Sequence, residues 1–184
     1  DGANQAQATG KSLAFGPDFS MTDAGEIYPG VRFLRAVAML SENVILFVDR
    51  VTADRPHTFD LANHYAGAWT GLPAGESVKL AYPHVQDARK VAAPSLRTDH
   101  VAIFLAGNEP TEVIPATGPG KSTAERVPMT IFRRTGQSTT YVWAVSLDGS
   151  SVTLDAQTGE TTRVRVNGAT VTVDFASPAV RIAR

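Results

Sequence analysis

The chain has 184 residues, 43% hydrophobic and 19% charged, which is enough for one domain with a sizeable core. A formal net charge of −1 supplies no field to draw nucleic acid or an anionic membrane surface, and no apolar run approaches the ~20 residues of a spanning helix. The absence of cysteine excludes disulfides and thiolate metal sites and leaves the compartment open.

The first residue is Asp1, and no basic-then-apolar signal segment follows it, so the chain reads as processed or as a piece of something longer. DGANQAQATGKS (1–12) is polar and aperiodic and reads as a linker or leader; 13–184 reads as one domain. Strand-like alternation then runs through VRFLRAVAML (31–40) and NVILFVDRV (43–51), separated by Ser41-Glu42. HTFDLANHYA (57–66) follows the polar stretch TADRP, and the spacing predicts that 43–51 and 57–66 form an antiparallel hairpin. Further strands are expected at 77–82, 100–107, 110–116, 127–134 and 139–147. In the tail, TTRVRV and ATVTVDF flank Asn167-Gly168, a strong two-residue hairpin signal, and Gly159 marks another turn. STAER (122–126) allows one helical turn at most.

Val44 to Val48 is apolar on both strand faces, as in a strand covered on both sides. The expected fold is therefore all-β, a two-sheet antiparallel sandwich of the super-sandwich type. Its expected core is Val44, Leu46, Val48, Phe59, Leu61, Ile103, Leu105, Ile131, Val142 and Ala144.

GPGKS (118–122) imitates the end of a phosphate-binding loop, but Pro115 stands where the first glycine is needed and no helix follows. A Gly/Pro turn is the plainer reading. Neither G-x-S-x-G nor His-Glu-x-x-His occurs, so serine-hydrolase and zincin chemistry lack their residues.

What stands out is VDRVTADRPHTFDLANHYAG (48–67), which gathers Asp49, His57, Asp60, His64 and Tyr65. Alternation puts His57, Phe59, Leu61, Asn63 and Tyr65 on one face and Thr58, Asp60, Ala62 and His64 on the other, with Phe59 and Leu61 marking the core side. In the hairpin, Asp49 faces His57 or Phe59. Two readings stay open: Asp49 bonds loop amides, His57 caps the hairpin and His64 is a satisfied edge group; or an imidazole and a phenol serve as acid, base or metal ligand.

ENVILFVDRVTADRPHTFDLANHYAG resembles the β-sandwich domain of the heparinase II/III-like polysaccharide lyases, a group that includes exolytic alginate lyases. TEVIPATGPGKSTAERVPMTIFRRTGQSTTYVWAVSL (111–147) and YPGVRFLRAVAML are similar to the same family in the same order, so the resemblance covers about residues 26–147. It implies β-elimination on uronate-containing polysaccharide, alginate-like or glycosaminoglycan-like, in the cleft between this sandwich and an N-terminal (α/α) toroid that the chain lacks. It implies His64 and Tyr65 as the catalytic contribution of the sandwich, with Tyr65 facing the cleft and His64 holding a metal or orienting a carboxylate. It also implies a structural zinc held by Asp49 and His64; the third ligand is missing, since VRFLRAV carries no histidine and His57 is the substitute at hand. Substrate contacts are expected from Trp69 and from the arginine of the Ala88-Arg89 pair. The implied setting is periplasmic or secreted. The alternative is a non-catalytic carbohydrate-binding or structural sandwich, with Trp69, Trp143, Tyr65 and Tyr82 as sugar platforms, although Trp143 sits in an apolar strand and suits the core.

Overall fold

The structure, a computed structural model, describes residues 9–122 and 124–184. Among these it forms fourteen strands and no helix: β1 (Lys11–Gly16), β2 (Phe19–Asp23), β3 (Val31–Met39), β4 (Val44–His64), β5 (Glu76–Ser77), β6 (Arg89–Lys90), β7 (Ser95–Arg97), β8 (Ala102–Leu105), β9 (Glu112–Pro119), β10 (Arg126–Ser146), β11 (Leu154–Gln157), β12 (Thr161–Val166), β13 (Ala169–Asp174) and β14 (Ala179–Ala183). Most of the expected leader, and Thr123 of the STAER stretch, lie outside the described residues; β1 begins at Lys11.

A large antiparallel sheet runs β1-β2-β3-β4-β10-β8-β7, with β9 pairing the other half of β10. A four-stranded sheet, β11-β12-β13-β14, packs on one face of it. Leu34, Ala36, Leu46, Val48, Val142 and Ala144 of the large sheet meet Val164, Val166, Val171 and Val173 of the small one, all buried. The alternation TTRVRV translates directly, with Thr162, Val164 and Val166 buried and Arg163 and Arg165 exposed. The β12–β13 turn has φ of 48° at Asn167 and 89° at Gly168, positive at both central residues as a type I′ hairpin requires. On the opposite face of the large sheet a second cluster unites Val51, Phe59, Leu96, Ile103, Phe132, Tyr141 and Trp143. Of the ten expected core residues eight are buried; Leu61 and Leu105 are only partly so, at the margin of this second cluster.

The expected hairpin between 43–51 and 57–66 does not form. Both edges of Val44–Val51 are already taken, by β3 and by β10, so the chain continues as one 21-residue strand. Thr52 pairs with Ser138 and His57 with Gly136, so Ala53–Pro56 bulge out opposite the single Gln137. Pro56 has no N–H to lose, which makes it tolerable there. The Asp54 N–H donates to Gly30 O and Gln137 Nε2 to Asp54 O, so both backbone groups of Asp54 in the bulge are satisfied. Expected strands 127–134 and 139–147 are likewise one strand, β10, also of 21 residues. Its alternation flips at the bulge, and Phe132 and Tyr141 consequently join the same cluster. Of the 77–82 stretch only Ser77 is strand, in β5, and β1, β2, β6, β7, β11 and β14 were not among the expected strands.

Candidate functional site

The end of the β4–β10–β9 ladder carries His64, paired with Met129, and Tyr65, whose N–H donates to Pro128 O. As alternation requires, the two rings part. His64 is exposed and its ring lies against Gly118 of β9, where a Cβ would stand 2.8 Å from His64 Nε2. Tyr65 turns to the other face: its hydroxyl and that of Thr130 share a hydrogen bond of 2.8 Å, and its ring meets Trp69 edge-on at 6.3 Å. Burial raises the Tyr65 phenol well above its ordinary pKa. Trp69 is fixed in turn by its Nε1–H donating to Ala116 O at 2.8 Å.

The loop that brings Trp69 back depends on Gly67, whose φ is +86°. A Cβ there would lie 1.8 Å from Asp99 Oδ1, the atom that accepts from Ala68 N–H and faces His100 Nδ1. Gly67→Ala is expected to cost about 1–3 kcal/mol through the positive φ. By NMR it should shift the indole N–H resonance of Trp69 while leaving that of Trp143 in place.

On the His64 side of β4, Asp60 accepts both branches of the Arg133 guanidinium at 2.7 Å and the Tyr82 hydroxyl at 2.6 Å. Burial, then the bonded Asp60 carboxylate, push the Tyr82 pKa up to about 12. Tyr82 remains 42% exposed, so this Tyr–Asp–Arg cluster offers a phenol and a guanidinium near the rim. Asp60 and the Arg133-Arg134 pair were visible in the sequence; their meeting across the β4–β10 ladder was not.

Asp49 does not belong to this rim. It pairs with Tyr141 of β10 and Arg35 of β3, not with His57 or Phe59. Its carboxylate is fully buried and takes Arg35 Nε at 2.6 Å, Arg35 Nη2 at 3.0 Å and Trp143 Nε1 at 2.8 Å. The guanidinium lies 5.4, 5.6 and 5.9 Å from the ring centres of Phe33, Phe47 and Trp143. Burial raises the Asp49 pKa against the pull of Arg35 and Trp143. The β10 partners of Asp49 and His64, Tyr141 and Met129, are twelve residues apart, about 40 Å of strand at roughly 3.3 Å per residue. Asp49 and His64 therefore cannot hold one ion, and the residues do not fit the zinc that the resemblance implies. Among the described residues no group of three or more His, Asp or Glu gathers to hold a metal. His57 Nε2 sits 3.6 Å from Asp54 Oδ1, at the bulge and not at a hairpin end. Arg89 lies half-buried on β6 with no hydrogen bond or ion pair to His64, Tyr65 or Trp69.

GPGKS is a turn whose amides are occupied: Gly120 N–H donates to Glu125 O and Lys121 N–H to Glu125 Oε2. An open concavity of about 340 Å³ lies between Asp23, Glu26, Gly30, Arg32 and Thr52, away from the rim and without any expected site residue.

No protein-family model matches the chain, and no curated protein matches it significantly. Solved structures do. Heparan sulfate lyase HepC from Pedobacter heparinus matches with a TM-score of 0.61 and 10% identity, over 95% of this chain and 29% of that one. A heparinase III structure matches at 0.60 and 17% identity, over 93% of this chain and 28% of that one. The heparinase III product of gene BT4657 matches at 0.59 and 13% identity, over 98% and 28%. The chain thus spans less than a third of the length of these proteins, and what it shares with that part of them is a heparinase-like β-sandwich fold.

Proposed function

We propose that this chain is the β-sandwich part of a polysaccharide lyase that cleaves uronate-containing polysaccharide, alginate-like or glycosaminoglycan-like, by β-elimination. The observation that carries the reading is the fold match over nearly the whole chain to a heparan sulfate lyase and to heparinase III, with most of those proteins lying outside the match. In β-elimination a base removes the C5 proton, the electron pair becomes the C4–C5 double bond, and O4 departs as it is protonated. A third group neutralises the uronate carboxylate so that the C5 proton is acidic enough.

The rim supplies part of this set. His64 presents an exposed imidazole for a proton or for the carboxylate. Tyr65, held by Thr130, and Trp69, held by Ala116, lie on the other face of the sheet end, and Tyr65 reaches substrate only if its packing there opens. Arg89 and Trp69 are the proposed sugar contacts. A toroidal helical domain supplies the facing wall and the remaining acid–base groups. No step is assigned to a metal. Substrates of this kind place the enzyme in the periplasm or outside the cell.

The test is ultraviolet absorbance of the unsaturated uronate product with alginate and with heparan sulfate. The 184-residue chain alone is expected to be inactive, because its rim supplies one wall of a cleft, and Asp60 already holds both the Tyr82 phenol and the Arg133 guanidinium, so base, acid and carboxylate neutraliser are not positioned together. The longer gene product containing it is expected to turn over one of the two. Turnover by the isolated chain would place the site elsewhere, and an inactive longer product that still binds sugar would favour the carbohydrate-binding alternative.

A further inference from the structure

We infer that the open outer face of the large sheet, across β1 to β4, is an interface that another domain of the same polypeptide covers. This rests on the reading above that the chain is one part of a longer enzyme. One row in register crosses six strands on this face: Phe15, Ser20, Val37, Phe47, Trp143 and Leu105. The next row holds Met39, Ile45, Val145 and Ile103. Segments around Trp69–Leu72 and Val91–Leu96 cover the β8–β10 end of the rows, and Trp143, Val145 and Ile103 are buried there. Among the described residues no segment covers the β1–β3 end in this way. Phe15 is 82% and Met39 49% exposed, while Val37, Ile45 and Phe47 are half-buried. Phe15 and Met39 are two of the four large hydrophobic side chains exposed on the described surface, and a third, Leu147, stands one residue past the end of β10 and continues its alternation onto this face.

The same molecule shows how it builds a face that stays in water. The outer face of the small sheet carries Asp155, Arg163, Arg165, Thr170, Thr172 and Arg181. The open face of the large sheet carries Ser20 and Thr22 on β2 and then, across β3 and β4, Phe33, Val37, Met39, Ile45 and Phe47; its one charge pair among the described residues, Arg35–Asp49, neutralises itself. A contiguous apolar patch of this kind marks a protein contact. An acidic polysaccharide finds no uncompensated cation there. The occupant is set by length: in the matched structures more than two thirds of the chain lies outside the matched region, far more polypeptide than one covering layer needs. The covering surface is apolar and places one carbonyl or hydroxyl acceptor over Arg35 Nη1, the guanidinium nitrogen that Asp49 leaves unbonded.

The chain's three methionines provide the test, since Met21 is 0% and Met129 4% exposed against 49% for Met39. Under dilute peroxide, with sulfoxides located by peptide mass spectrometry, Met39 of the isolated chain should oxidise about tenfold or more faster than the other two, because reactivity follows exposure. In the longer gene product Met39 should slow by about tenfold, to the rate of Met21 and Met129. Equal Met39 rates in the two proteins overturn the inference. So does protection of Met39 in the isolated chain that grows with its concentration, which assigns the face to a second copy, and so does a gene that encodes nothing beyond this chain. The readout is independent of lyase activity: a longer protein that is protected but inactive sinks only the lyase reading, and one that is active but unprotected sinks only this one.

Discussion

Asp49→Ala is expected to lower stability by about 3 kcal/mol, the low end for breaking a buried ion pair. For a chain of this size that corresponds to a fall in melting temperature of about 6–12 °C. The low end applies because the Arg35 side chain is 30% exposed, so water reaches one side of the charge that Asp49 leaves behind. The loss has two parts: a guanidinium without its carboxylate, and a Trp143 indole N–H without an acceptor in a core where Trp143 stacks on Phe47 at 4.0 Å. Replacing both charges, Asp49→Leu with Arg35→Met, removes the first part and is expected to cost less than Asp49→Ala alone, since a buried pair exchanged for apolar groups is often close to neutral. Thermal melts of the two variants decide it. A double variant at least as unstable as Asp49→Ala would show that shape, not charge, makes the pair important.

In the longer enzyme, His64→Ala is expected to lower turnover by roughly 10²-fold or more, the contribution of a positioned proton-transfer group. Its melting temperature should change little, because the ring is exposed and rests only on the surface over Gly118. Tyr65→Phe deletes the bond to Thr130 and leaves the ring on Trp69. It should cost about 1 kcal/mol of stability, and a comparable loss of turnover only if the phenol itself reaches substrate. His84→Ala, in the exposed loop YPHVQ, serves as the control. If both rim variants keep near-normal turnover and the control does not, the rim is scaffold and the catalytic contribution of this domain lies nearer His84.

Features set by neighbouring residues were legible in the sequence. The β12–β13 hairpin rests on Asn167-Gly168 alone, and the parting of His64 from Tyr65 follows from a period of two. Trp143 announced its burial by its apolar strand. What escaped was set by partners far along the chain. TADRP has the composition of a loop, and only the uninterrupted course of β10 beside it makes it a bulge. The carboxylate of Asp49 reads as a ligand until Arg35, fourteen residues earlier, is seen opposite it. The Asp60 cluster joins residues 22 and 73 positions away. β1 and β2 hid because each is only five or six residues long, with Gly16-Pro17-Asp18 between them, and β1 starts inside the stretch that reads as a polar leader.

The paired 21-residue strands also dictate when this domain can exist during synthesis. Their contacts join residues from 65 positions apart, His64 with Met129, to 102 apart, Val44 with Ser146. Until the ribosome has released Ser146, β4 has β3 on one side and an open edge of backbone donors and acceptors on the other. Such an edge recruits foreign strands, and pairings this distant close slowly because the intervening loop must first surrender its entropy. The order of elements confines the hazard: β3 precedes β4 across only a short turn and shields Ile45–Ala53 on one flank early, while the segments that later roof the other cluster are made before β10 and wait unpaired for it. A nascent chain stalled anywhere between His64 and Arg126 therefore presents its longest strand as a template, and the interval before β10 emerges is when this domain most needs a chaperone.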